Sequence, residues 1–224
     1  MSAHGRLSQE ILAQTALALA DDEGVESVTV RRLAQRHSVT PMALYRHFKD
    51  KDEIFDSLAE RLLASVAIPA PDRRPWHEQT HDLLTAFVAA LRPHPNAAGL
   101  ILGRILDSNP GLVVAERMLV LLTEAGFGVE AAAETASQAL CSVVTLVVTE
   151  PGRRRGADAE ARDDAIRAKK ATLTALSPRH YPHVVAAANA LASCSSEEQY
   201  YARGIRMIVA GIRGIQAALE TAVA

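Results

Sequence analysis

Apolar residues recur at helical spacing along most of the chain, and short polar, proline- or glycine-bearing stretches interrupt them. The first stripe starts near Ser8, places Ile11, Leu12, Ala16, Leu19 and Ala20 on one face, and ends at Gly24, a residue suited to the left-handed position after a helix. Thr29 is placed to cap a second helix whose Val30, Leu33 and Ala34 form a buried stripe, with an end near His37. Thr40 followed by Pro41 supplies a cap and a proline at the first helical position, opening a very short third helix with Leu44 and Phe48 inward. Asp50 and Glu53 form a capping box for a fourth, with Ile54, Leu58 and Leu62 on its apolar side.

Residues 68–75 contain three prolines and the charged Asp72, Arg73 and Arg74, which reads as a linker. The boundary falls there, dividing the chain into a head of residues 1–67 and a body of residues 68–224. Beyond it, periodicity predicts helices over 76–91, 96–106, 110–124 and 129–149. The polar stretch 151–164 reads as a loop, and its Arg153, Arg154 and Arg155 as a solvated run. Helices over 163–176, 181–193 and 196–221 complete the pattern. In the last of these, Tyr201, Ile205, Ile208, Ile212, Ile215 and Leu219 alternate in steps of four and three, the seam of a helix packed on another helix. That seam suits either the subunit's own core or a dimer interface. Gly204, Gly211 and Ala218 form a second row that permits close backbone approach.

Composition narrows the fold: 49% hydrophobic residues with only 4% aromatic, rich in alanine, favours an all-α architecture. A net charge of −2 points to no polyanionic partner for the whole chain, but six basic residues between positions 28 and 51 (Arg31, Arg32, Arg36, Arg46, Lys49, Lys51) face a single acid, Asp50. The acids Asp21, Asp22, Glu23 and Glu26 are expected on the far side of the first helix, leaving a basic face suited to a DNA duplex. Cys141 and Cys194 lie in no metal-ligand or disulfide spacing, so no metal or cofactor is expected. The strongest apolar run, 143–148, is short of the ~20 residues a spanning helix needs, and a cytoplasmic protein without a membrane partner is expected.

Two helices joined by a tight turn, the second very short, are the elements of a helix-turn-helix. The string RRLAQRHSVTPMALYRHFKDKDEIFDSLAERLL, from Arg31 to Leu63, closely resembles the head of the tetracycline-repressor (TetR) family, notably in Leu33-Ala34, Leu44-Tyr45-x-His47-Phe48 and the following Lys51. The resemblance implies a transcriptional regulator on a palindromic double-stranded operator. It implies that Thr29 and Arg31 meet phosphate and groove, that Thr40, Pro41, Met42, Ala43 and Arg46 face base edges, and that Tyr45, His47 and Lys51 bind phosphates. One departure is Ser38, where the family usually has glycine.

The body resembles that of the tetracycline repressors through Trp76 with Phe87, His94 with Asn96 and Gly103, the Gly126-Phe127 turn and Tyr181-Pro182. Together with the head it implies a homodimeric repressor that a small molecule releases from its operator. The antibiotic-holding histidines of those repressors match Ile101 and Cys141, and their water-holding acid matches Thr149, with Glu150 beside it. Losing those anchors points to an apolar or amphipathic effector without metal, in a pocket lined by Leu83, Phe87, Ile101, Met118, Leu122, Cys141 and Thr145. A ligand-independent regulator or an activator of the same family is the alternative. A helical enzyme is a remote one, since Glu150, His180, His183 and Cys141 form no catalytic spacing.

Overall fold

The computed structural model of the chain describes residues 7–150, 159–193 and 196–223, and among these all regular structure is helical. The head holds α1 (Gln9–Glu23), α2 (Val30–Arg36), α3 (Pro41–Leu44) and α4 (Lys51–Ala64). Three of these begin at side-chain caps: Ser8 accepts from the Ile11 amide, Thr29 from that of Arg32 and Asp50 from that of Glu53. Each satisfies an N–H that the helix itself leaves unpaired. Thr40 makes no side-chain cap, contrary to expectation; Pro41 presets φ instead, and α3 lasts one turn. Leu12, Leu19, Leu33, Leu44, Phe48, Ile54 and Leu58 close around one another as the head's core. Ile11 is a correction: it is 38% exposed, and Ala13 and Leu17 take the inward positions. Gly24 has positive φ (88°) but extended ψ (159°), so it turns the chain rather than forming a left-handed helical cap.

The body is built on α5 (Trp76–Leu91), α7 (Asn109–Glu124), α8 (Val129–Val148) and α12 (Glu197–Val223). One buried cluster runs from Leu12 in α1 to Ile212 in α12, continuous through the junction of head and body. The stretch 68–75 is not a free linker. The Gln79 amide group, 6% exposed, donates to the carbonyls of Asp72 and Arg74, while its oxygen accepts from the Asp72 amide and from Arg117.

The helix expected over 96–106 is broken. It is α6 (Pro95–Ala98), a 3-10 turn at Gly99–Ile101 and a second at Ile105–Asp107. Between them Leu102 (φ −58°, ψ 119°) and Gly103 (φ 82°) form a type II turn closed by Arg104 N to Ile101 O at 2.9 Å. The third position of that turn needs positive φ, which glycine adopts freely. Apolar periodicity does not register such a break.

Helix α8 is long and apolar enough to cross a membrane, with a mean hydropathy of 1.4, although its longest unbroken apolar run is short. Here Leu140, Val143, Val144 and Val147 bury one side of it in the core.

Residues 151–158, with Arg153, Arg154 and Arg155, lie outside the described residues, as does Cys194. From Ala159 the chain is already helical, as α9 (Ala159–Thr174), so 159–164 is a correction: its charge suggested a loop, yet alanine and glutamate are strong helix formers. The helix expected over 181–193 is two, α10 (Pro182–Ala186) and α11 (Ala188–Ala192). Helices α9 to α11 pack chiefly on one another as an arm, and none of their residues joins the main core.

Candidate nucleic-acid interface

Helices α2 and α3, the turn after α3 that carries Tyr45, Arg46 and His47, and the start of α4 present the side chains expected to meet DNA. Arg31, Thr40, Pro41, Tyr45, Arg46 and Lys51 are exposed, Met42 is 71% exposed, and Thr29, Ala43 and His47 are half-buried. Leu44 and Phe48, between them in sequence, point into the head's core and anchor this surface from behind. The turn between α2 and α3 carries Ser38 at φ 55°, a left-handed conformation that costs a residue with a Cβ on the order of 1 kcal/mol. Lys51 extends over the Phe55 ring, 4.9 Å from its centroid, which holds its stem in place.

The acidic back of the head differs from expectation at Glu23. Its carboxylate pairs with Arg32 at 2.7 Å and with Arg36 at 3.4 Å, and those pairs lower its pKa, the Arg32 hydrogen bond first. Two of the six basic residues therefore share one carboxylate within the head, while Arg31, Arg46 and Lys49 make no ion pair among the described residues.

The head is tied to the body at two points. Nδ1 of His94 donates to Oδ2 of Asp21 at 2.7 Å, and the Asn96 side chain donates to the Asp21 carbonyl at 3.0 Å. Burial raises the pKa of Asp21, against the hydrogen bond and charge of His94 and with the help of Asp22. On α4, Asp56 accepts from Arg104 Nε at 2.8 Å. The three body partners belong to α6 and its surroundings: His94 stands just before it, Asn96 within it and Arg104 in the broken segment that follows.

The expected pocket residues do not surround one space. Leu83, Phe87, Ile101, Met118 and Leu122 are fully buried in the body's core. Cys141 and Thr145 instead face an outer groove of about 540 Å³ between α8 and α12, shared with Gln138, Ser142, Leu146, Gly204, Met207 and Ile208. The seam of α12 also divides. Tyr201, Ile205 and Ile212 are 3–4% exposed in the subunit's own core, so they are not a dimer surface; Ile208 is half-buried, and Ile215 (45%) and Leu219 (38%) point outward. Met207, 70% exposed and absent from the expected seam, joins the outer face. Along the glycine row, Gly204 marks close packing on the subunit's own Leu146, whereas Gly211 faces open space.

Residues 68–215 match the family described as Tetracyclin repressor-like, C-terminal domain, and residues 12–58 match bacterial regulatory proteins of the tetR family. The chain belongs to the TetR family. It is a transcriptional regulator with a helix-turn-helix head. The class C tetracycline repressor protein of Escherichia coli is 31% identical over 161 residues, covering 70% of this chain and 71% of its own. ActR of Streptomyces coelicolor, solved with actinorhodin, superposes with a TM-score of 0.76 at 25% identity, over 95% of this chain and 99% of its own. BioQ, solved with its double-stranded DNA operator, is 28% identical with a TM-score of 0.59, over 66% of this chain and 90% of its own.

The three positions that the resemblance matches to the antibiotic site of the tetracycline repressors differ in their surroundings. Ile101 is buried in the core, Cys141 sits in the outer groove and Thr149 is exposed. Glu150, beside it, is 3% exposed and accepts from the Tyr201 hydroxyl at 3.3 Å. Among the described residues no three His, Cys, Asp or Glu side chains gather as a metal site. The sequence pattern singled out neither Thr80, His77 nor Gly111, and it gave Asp21 only as part of the acidic back of the head. For Thr80 a signal existed: it falls on the stripe of Trp76, Leu83 and Phe87, a hydroxyl at an apolar register.

Proposed function

We propose that the chain is a cytoplasmic, homodimeric repressor, not an enzyme, that leaves a palindromic operator when a small apolar or amphipathic molecule enters its body. The division of labour assigns residues 1–67 to DNA and residues 68–224 to the ligand and the dimer. The carrying observation is the exposed set Arg31, Met42, Tyr45, Arg46 and Lys51, backed by buried Leu44 and Phe48. BioQ with its operator supports the DNA partner, and ActR with actinorhodin supports a small-molecule ligand.

The dimer reading rests on the outer face of α8 and α12, where Met207, Gly211, Ile215 and Leu219 repeat every four residues beside Cys141, Thr145 and Ile208. An exposed apolar stripe of that length favours association with a copy of itself. A single head also covers too few base pairs for useful affinity, whereas two heads engage two half-sites together.

Selection of bound duplexes from a random library tests the reading. Recovery of a two-fold symmetric site with half-sites about one helical turn apart is the expected result. Recovery of no preferred sequence by a folded dimer at low salt would remove the operator reading.

A further inference from the structure

Among the described residues of the body, two buried side-chain hydrogen-bonding atoms have no partner. Thr80 on α5 is fully buried and its Oγ1 has no partner, and three residues earlier Nδ1 of His77 is buried without one. Residues three apart lie on the same face of a helix, so Thr80 and His77 share one face of α5. Many other helical hydroxyls behave differently. Those of Thr85, Thr123, Ser142, Thr145, Thr149, Thr172, Thr174 and Thr221 each donate to the carbonyl four residues back. Thr80 has the Trp76 carbonyl at the same offset and does not use it.

A buried hydroxyl left unpaired is unfavourable, and valine would fill the same shape without that penalty. The neighbours on the stripe, Leu83, Leu84 and Phe87, are fully buried and apolar, and α5 packs against α7, α8 and α12. Gln79, the adjacent polar residue, is already occupied by Asp72, Arg74 and Arg117. The locality therefore combines apolar walls with one group that both donates and accepts and one ring nitrogen that can do either. Among the described residues no charged side chain pairs with them, which disfavours an ionic head group.

We propose that Thr80 and His77 are the polar anchor of the effector site, and that the effector is an uncharged, apolar ring compound carrying a hydroxyl or carbonyl group. The assignment rests on the ligand-responsive reading above and gives its ligand a chemical class.

Trp76, the single tryptophan, has its ring centroid 5.7 Å from that of His77, so its fluorescence reports on the site. The full chain is titrated with 1-naphthol and with naphthalene, which share a ring body and differ by one hydroxyl. Wild type should bind 1-naphthol about tenfold more tightly. Thr80→Val should erase that preference with a melting temperature equal to or above wild type, and Thr80→Ser should keep it. A preference that survives Thr80→Val overturns the anchor, and so does a melting temperature lowered by about 4 °C or more, which marks the hydroxyl as structural. Failure of both probes to bind wild type overturns the ligand class. If 1-naphthol binds through Thr80 yet leaves operator affinity unchanged, the site stands and the ligand-responsive reading fails.

Discussion

The Asp21 carboxylate, at the end of α1, accepts a 2.7 Å hydrogen bond from Nδ1 of His94, which stands just before α6. This contact joins the head to the part of the body where the helix expected over 96–106 gives way to turns. Its second oxygen, Oδ1, is buried with no partner. Burial is the largest influence on the group and raises its pKa above the ordinary 3.8.

That shift sets a pH dependence. Between 3.8 and the raised value the folded chain holds more protons at Asp21 than the unfolded chain, so this group's contribution to stability falls as pH rises through that window. Asp21→Asn keeps an acceptor for His94 and removes the desolvated charge. Melting curves should show it more stable than wild type at pH 7, with the difference shrinking as pH approaches 3.8. A variant less stable at pH 7 would mean that pairing with His94 outweighs burial.

Gly111 tests the seat of α7. A Cβ there would meet the Ile105 carbonyl oxygen at 1.8 Å, a backbone atom that cannot swing aside, with Leu63 at 3.1 Å. Gly111→Ala should cost about 1–3 kcal/mol by denaturant unfolding, although alanine is the better helix former. A neutral or stabilising effect would show that the Ile105–Asp107 turn moves freely.

Arg46 and Lys51 separate sequence readout from phosphate contact. Arg46→Ala should relax preference at one base position of the selected site, a loss of about 1–3 kcal/mol there. Lys51→Ala should weaken all duplexes alike and reduce the salt slope by about one. An unchanged base profile for Arg46→Ala would reassign readout to its neighbours.

Position 212 and position 215 distinguish core from interface within α12. Ile212, 4% exposed, should not tolerate glutamate, so Ile212→Glu should unfold the body. Ile215→Glu, at an outward site that is 45% exposed, should remain helical by circular dichroism, sediment as monomer and lose operator affinity by orders of magnitude. A dimer that survives Ile215→Glu with normal operator binding would place the interface elsewhere.

Magnesium-tetracycline provides a negative control for the pocket. With isoleucine, cysteine and threonine at positions 101, 141 and 149, it should not release the protein from operator at concentrations that release a tetracycline repressor. Release that disappears on adding chelator would reverse that assignment.

Much of the molecule was legible in order along the chain, because helix caps, apolar period and turn residues are local properties. Ser8, Thr29 and Asp50 stand where the amides need acceptors, and the family resemblance is carried by contiguous strings in the head. The sequence alone thus determined an all-helical chain with a helix-turn-helix head and the identity of its exposed basic residues. What it could not determine is which side of a helix faces which neighbour. The seam on α12 has the same period whether its partner is the subunit's own α5 and α8 or another chain, and only packing assigned Tyr201, Ile205 and Ile212 inward and Ile215 and Leu219 outward. Cys141 went to the outer groove for the same reason. The pairing of Glu23 with Arg32, of Asp21 with His94 and the isolation of the Thr80 hydroxyl likewise depend on distances between residues 9, 73 or more positions apart, or on a partner that never arrives. Such contacts follow from how apolar surfaces exclude water together, a property of the assembled core that no local window contains.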